Sequence, residues 1–222
     1  MPVVDWELAR ESLWPIVSGA LTGTVPLALV SFLGGMVLAI AVALLRLSRR
    51  RWVSRVGATY VSVIRGTPLL VQLFVVFYGL PSLGILIAPW PSAAIAFSLN
   101  VGGYAAEIVR AAILSVPQGQ WEAGWMIGMS RRRTLTRIIV PQAARVSVPP
   151  LSNTFISLVK DTSLASLILV TELFRRAQEI AAFSQDFMLL YLEAALVYWV
   201  ICLALAAGQS RLETRLERHV AH

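Results

Sequence analysis

Charge, cysteine and lysine are all scarce in this sequence. Charged residues fill 14% of the 222 positions, against about 25% in an average soluble domain. Hydrophobic residues fill 57%, and the mean hydropathy is +0.72. That excess is too large for one soluble core. It excludes a disordered, collagen-like or disulfide-rich chain and argues against an ordinary soluble enzyme. The one cysteine, Cys202, stands in an apolar run, so there is no disulfide framework. His219 and His222 have no cysteine or second histidine pair beside them, and no metal centre is expected. No Gly-x-Ser-x-Gly elbow supplies a nucleophile. Of the 19 basic residues all but one are arginine. The single lysine, Lys160, lies between Val159 and Asp161, so it closes no Gly-Lys-Ser/Thr phosphate loop. The chain is expected to bind no cofactor and not to hydrolyse ATP by itself.

What is present is long apolar runs. A helix needs about 20 apolar residues to cross the hydrocarbon core, and five stretches qualify: Ile16–Leu45, Ala58–Leu80, Ser92–Val116, Val146–Val170 and Phe187–Ala207. The first is long enough to tilt, to kink at Pro26 or to start in the interface. The second is interrupted by Arg65-Gly66-Thr67-Pro68. Pro149 and Pro150 kink or begin the fourth. Asp5, Glu7 and Glu11 replace the positive region of a cleaved signal, and Trp6 and Trp14 suit an interfacial segment over residues 1–15. The expectation is an all-α, polytopic membrane protein with one transmembrane domain over residues 1–222.

The arginines orient it. Arg46, Arg49, Arg50, Arg51 and Arg55 follow the first span; Arg131, Arg132, Arg133, Arg137 and Arg145 follow the third; Arg211, Arg215 and Arg218 end the chain. The segment between the second and third spans has no charge, and that between the fourth and fifth mixes Glu172, Arg175, Arg176, Glu179 and Asp186. The positive-inside rule places the N-terminus outside and the C-terminus in the cytoplasm, which an odd number of spans requires. The net charge of +7 is then a topology signal, not a nucleic-acid surface.

Polar residues recur inside the spans, where each charge costs about 2.5–3.5 kcal/mol on insertion scales and faces the bundle interior. Asn100, Gly103, Tyr104, Glu107 and Ala111 share one face of the third span, with Arg110 beyond Glu107. Asn153, Ser157, Lys160 and Asp161 make a second stripe in the fourth. Two readings stand: a solute pathway lined by both helices, or structural ion pairs such as Glu107–Arg110. Lys160-Asp161-Thr162-Ser163 offers a cation, an anion and hydroxyls that suit the two ends of a zwitterion; the alternative is a self-neutralising Lys–Asp pair. Glu193 reads as snorkelling to the outer interface. Gly35, Ala39 and Ala43 form a small-residue face for close helix packing.

The segment over residues 117–141 is too patterned for a linker. Gln120–Ser130 reads as a short helix with Glu122 in its first turn, where an acid suits the helix dipole. Ala123, Gly124 and Gly128 are small enough for close approach by another protein, and Ile127 adds an apolar contact. An amphipathic helix on the membrane would show a bulky apolar stripe, which this small face lacks.

Glu122-Ala123-Gly124, three residues, Gly128, nine residues and Ile138-Ile139-Val140-Pro141 together resemble the E-A-A loop of ATP-binding-cassette (ABC) importer permeases, with Gly124 for the second alanine and Val140 for leucine. Three more stretches are similar to the polar amino-acid subfamily: Tyr60 to Gln72, Gly103 to Arg110, and Pro141-Gln142-Ala143-Ala144-Arg145 with Asn153 and Lys160 to Leu164. The resemblance covers the chain from about Gly19 onward.

It implies a type I ABC-importer permease fold in the bacterial cytoplasmic membrane. It also implies a second permease chain, identical or paralogous, two ATPase subunits that use the ATP, and an extracytoplasmic amino-acid-binding protein. Glu122, Ala123, Gly124, Ile127, Gly128 and Pro141 would couple to the ATPase. Asn100, Tyr104, Glu107, Asn153, Ser157, Lys160, Asp161, Thr162 and Ser163 would line the substrate pathway. An ion-coupled secondary amino-acid transporter is the alternative, and it would carry internal repeats, which these spans do not show. A non-transporting scaffold is a third reading.

Overall fold

The structure, a computed structural model, describes residues 5–217. The first four residues of the expected interfacial segment, and Arg218, His219 and His222, lie outside them. Ten α-helices make up the described chain: α1 (Trp6–Gly19), α2 (Val25–Arg46), α3 (Arg51–Gly66), α4 (Leu69–Phe74), α5 (Pro89–Ser115), α6 (Gln118–Met126), α7 (Arg131–Thr134), α8 (Val140–Asp161), α9 (Leu173–Ser184) and α10 (Phe187–Glu217). Three helical stretches are long and apolar enough to cross a membrane: Trp6–Arg46, Pro89–Ser115 and Phe187–Arg215. Two bent pairs, Arg51–Gly66 with Leu69–Leu83 and Arg131–Ile168 with Leu173–Ser184, bring the number to five if each is one span.

The first span is longer than the sequence suggests. Asp5 caps α1 by accepting from the Leu8 amide at 3.0 Å. The helix then runs on through a π turn, Ala20–Thr24, into α2. Pro26 therefore neither starts nor breaks it. Two further π turns, Val75–Gly79 and Leu135–Ile139, stand in the same relation to Pro81 and Pro141. In each case the proline lies two residues beyond the turn. A proline removes a helical donor and crowds the carbonyl one turn back. The wider π turn just before it gives that carbonyl room, so the helix continues.

The centre of the bundle is α2 against α5, with α3, α4 and α8 around them. Gly35, Ala39 and Ala43 are buried on this face, as expected. A Cβ at Gly35 would lie 2.5 Å from the Val101 side chain of α5, so the two backbones meet where only glycine fits. Phe97, Leu27, Leu73 and Ile168 fill the same core. Tyr60 adds a polar tie by donating to the Leu99 carbonyl at 2.6 Å.

A second cluster joins α1, α9 and α10 through Ile16, Ala20, Leu173, Ala177, Leu190 and Ala194. Here the mixed-charge segment after the fourth span, read as a loop, is a helix. Arg175 and Arg176 pair with Glu179 along its exposed side at 3.1 and 3.2 Å. Ala177 and Ala181 face inward. Glu193, expected to snorkel, is buried and accepts from the Ser12 hydroxyl at 2.5 Å. The correction has a simple cause: α1 extends far enough to cover that side of α10.

A third cluster gathers Ala112, Ile113, Val116, Ile139 and Ala143 with Leu47 and Trp121 packed on it. It brings the arginine-bearing ends of α2, α5 and α8 to one end of the bundle, which the positive-inside rule assigns to the cytoplasm.

Candidate functional site

The site begins at the break in the second span. α3 and α4 meet at 106°. Pro68 cannot donate to a helical carbonyl and pushes Thr67 into extended backbone, φ −122° and ψ 145°. The last carbonyls of α3 are left without helical partners. Gln72 supplies one. Its amide nitrogen donates to the Ile64 carbonyl at 2.8 Å, and to the Thr67 carbonyl and hydroxyl at 3.1 and 2.9 Å. Its amide oxygen accepts from the Asn100 side chain of α5 at 3.0 Å. The break is thereby tied to the polar face of the third span. Gln72 stood in a recognised stretch of sequence, but its side-chain role was not read from it.

A cavity of about 400 Å³ opens at this break. Asn100 and Tyr104 of α5 line one wall, Asn153, Ser157 and Asp161 of α8 the other, and Thr67 closes it at the break. The guanidinium of Arg65 lies over the Tyr104 ring at 5.4 Å. The two polar stripes thus converge, and five of the expected pathway residues share one polar space.

The others do not. Glu107 is bonded by both Arg46 and Arg110 and is absent from the cavity wall. The pair with Arg110 was one of the two sequence readings; the contribution of Arg46, from the end of α2, was not. Lys160 and Ser163 open into a different cavity of about 580 Å³, walled by Phe174 of α9 and by Tyr191, Tyr198 and Trp199 of α10. Successive helical residues point about 100° apart, so Lys160 and Asp161 cannot clamp one zwitterion within a single chain. Thr162 is buried and donates to the Val159 carbonyl at 2.7 Å. Ser163 likewise donates to the Lys160 carbonyl at 2.8 Å.

Glu172 was counted with a charged loop, yet it is fully buried. It caps α9, accepting from the Phe174 and Arg175 amides at 2.9 and 2.7 Å. It also accepts from the Tyr198 hydroxyl at 2.8 Å and the Thr24 hydroxyl at 3.3 Å. The Thr24 hydroxyl in turn accepts from the Leu173 amide at 3.3 Å. One carboxylate so joins the π turn of the first span, the start of α9 and α10. The only sequence signal was an acid directly before an apolar helical run, which is weak.

The segment over residues 117–141, expected on the cytoplasmic side, presents a compact helical corner. Glu122 and Ala123 are exposed on α6. Met126 and Ile127 stand out at 87% and 75% exposure. Gly124 does not offer a free face: it is buried against the Thr134 side chain of α7. Gly128 has φ +76°. Around it the Met129 amide reaches the Gly124 carbonyl and the Gly128 amide the Trp125 carbonyl, both at 2.9 Å. This is a Schellman cap, which asks for glycine at the left-handed position. Gly124 and Gly128 therefore shape the corner, while Glu122, Ala123, Met126 and Ile127 form its outer surface. Pro141 is exposed at the start of α8, beyond the π turn.

Comparison with known proteins agrees with this geometry. The family model of the binding-protein-dependent transport system inner membrane component matches residues 35–218. The chain is 58% identical over 219 residues to the L-cystine transport system permease protein TcyB of Bacillus subtilis (strain 168), covering 98% of this chain and 94% of that one. It is 34% identical over 218 residues to the glutamine transport system permease protein GlnP of Escherichia coli (strain K12), covering 96% and 98%. A chain in the crystal structure of an amino acid ABC transporter with histidines superposes with a TM-score of 0.90 at 31% identity, over 97% of this chain and 100% of that one. The inward-facing MetNI methionine ABC transporter shares the fold, with a TM-score of 0.77 at 18% identity over 91% and 96%. The chain therefore belongs to the binding-protein-dependent ABC permeases of the polar amino-acid family, as the multi-pass inner-membrane subunit of an amino-acid importer whose ATPase and binding protein are separate chains.

Proposed function

We propose that this permease carries L-cystine or a closely similar amino acid, and that the cavity at the broken second span is part of its route. The observation that carries the substrate reading is the 58% identity with an L-cystine permease over nearly the full length of both chains. The cavity supports it chemically. Asp161 would meet a substrate ammonium, and the Asn100 and Asn153 amides and the Ser157 hydroxyl would meet a carboxylate or a second ammonium.

The working unit has two permease chains, this one twice or with a paralogue, and two ATPase subunits. Each ATPase grips the outer surface of α6 at Glu122, Ala123, Met126 and Ile127. ATP binding closes the ATPase pair and moves α6. Behind α6 stands Thr134, packed on Gly124, and Gln142 donates to the Gln120 side chain at 3.3 Å. From Arg131 to Ile168 the helix is unbroken, so a push on α6 reaches Asn153, Ser157 and Asp161 directly. Alternating access follows if ATP and substrate each favour a different one of two arrangements.

The test is ATPase stimulation in proteoliposomes holding the permease, its ATPase and its binding protein. L-cystine is expected to stimulate hydrolysis and glutamine much less. Stimulation by glutamine and not by L-cystine would overturn the substrate reading. Uptake that persists with hydrolysis blocked and collapses with an uncoupler would restore the ion-coupled alternative.

A further inference from the structure

A cavity at the arginine-rich end of the bundle plays no part in the route or in the outer surface of α6. It measures about 820 Å³ and lies between the ends of α2 and α5 and the inner side of α6 and α7. Arg49, from the turn after α2, and Arg131 and Arg132 of α7 reach it from parts of the chain far apart in sequence. No acidic residue lines it, and none of the three arginines makes an ion pair among the described residues. Uncompensated positive charge is therefore concentrated at one place.

Its other walls are apolar and open. Leu44 and Leu114, at the inner ends of the first and third spans, are 51% and 59% exposed. Trp121 and Trp125 lie one turn apart on α6 and complete the rim. The small face of α6, weighed in the sequence, points elsewhere; these two rings are the bulky side that a membrane-facing helix carries. Tryptophan settles at headgroup depth, arginine forks bind phosphate oxygens in pairs, and apolar span ends sit beside acyl chains. Only one ligand has all three parts in that order. A soluble anion would leave the leucines and rings unused, and an acidic protein surface would meet a recess and not a protruding contact.

We infer that this cavity holds the headgroup and upper acyl chains of an anionic phospholipid from the cytoplasmic leaflet. The lipid wedges between α6 and the ends of the first and third spans, behind the surface that faces the ATPase. Basic recesses between helices on the cytoplasmic side are where such headgroups bind.

The test uses the purified transporter with its ATPase, stripped of lipid in detergent and titrated with phosphatidylglycerol or phosphatidylcholine, bound lipid being counted by native mass spectrometry. Phosphatidylglycerol is expected to stay bound in preference. The triple variant Arg49→Gln, Arg131→Gln, Arg132→Gln should weaken its retention by at least about tenfold, while Arg211→Gln, outside the cavity, leaves it unchanged. A second measurement needs no variant: spin-labelled phosphatidylglycerol in nanodiscs with the wild-type complex should show an immobilised fraction that the phosphatidylcholine label lacks. Equal retention of both lipids, or retention unchanged in the triple variant, would overturn the inference. So would displacement by inorganic phosphate alone, which marks a free-phosphate site. Loss of the ATPase from the triple variant with lipid retention intact would assign the arginines to protein docking and overturn it as well.

Discussion

Lys160 and Asp161 are adjacent in sequence and open into two different cavities. Only Asp161 faces the polar space shared with Asn100 and Tyr104. The two residues should therefore separate in their effects. A charge-assisted contact contributes about 1.5–3 kcal/mol. Asp161→Asn is expected to raise the half-saturating substrate concentration by about tenfold or more. Lys160→Met should change it by less than about threefold. Equal losses, measured as ATP-dependent uptake by reconstituted transporter, would place Lys160 on the route too.

Gln72 holds the broken span by donating once to Ile64 of α3 and twice to Thr67 beyond its end, and by accepting from Asn100. Gln72→Leu keeps the bulk and removes all four. Two of these bonds are part-buried and two exposed, and a typical hydrogen bond contributes about 0.5–1.5 kcal/mol net. A lowered unfolding temperature and strongly reduced uptake are expected together, because Asn100 loses its anchor. Stable protein with normal uptake would show that the break keeps its shape without Gln72.

Gly128 tests the cytoplasmic corner. A left-handed backbone at a residue with a Cβ costs roughly 1–2 kcal/mol. Gly128→Ala should leave the protein inserted and stable in detergent, yet weaken co-purification of the ATPase and cut coupled transport. Ile127→Ser is the complementary change, since it alters the exposed surface and leaves the Schellman cap intact. Both should lower substrate-stimulated ATP hydrolysis. Normal coupling in both would remove this corner from the ATPase contact.

Glu172 is a structural prediction. Glu172→Leu leaves two amides, the Thr24 hydroxyl and the Tyr198 hydroxyl without their acceptor. Each neutral donor left unsatisfied in a buried site costs about 1–3 kcal/mol. Thermal unfolding should shift downward by more than for any single substitution on the exposed face of α9, such as Arg176→Ala. An unchanged transition would mean that solvent or relaxation satisfies these groups.

The apolar runs were legible because they rest on composition alone, and each of the five falls on a long helix or on one of the two bent pairs. The break at Arg65-Gly66-Thr67-Pro68 was legible as an interruption. Its 106° bend was not, because the side chain of Gln72 helps to hold it. Pro26 read as a candidate kink, since a sequence does not reveal the π turn that lets a helix pass a proline. Glu172 and Glu193 read as surface charges because their burial is assembled by elements distant in sequence: Glu172 meets Thr24 of the π turn and Tyr198 of α10, and Glu193 meets Ser12 of α1, a segment assigned to the interface. Gly124 and Gly128 fit the loop spacing, but spacing could not say that one packs on Thr134 and the other makes a left-handed turn. The convergence of the two polar stripes was anticipated from helical spacing; the split between Lys160 and Asp161 needed the position of α10.

The most direct measurement is uptake of labelled L-cystine into proteoliposomes containing this permease and its ATPase, with binding protein outside and ATP inside, for wild type and Asp161→Asn. The account predicts accumulation that requires both ATP and binding protein, and that falls about tenfold or more in the variant at limiting substrate. Accumulation without ATP, or identical uptake by wild type and variant, would contradict it.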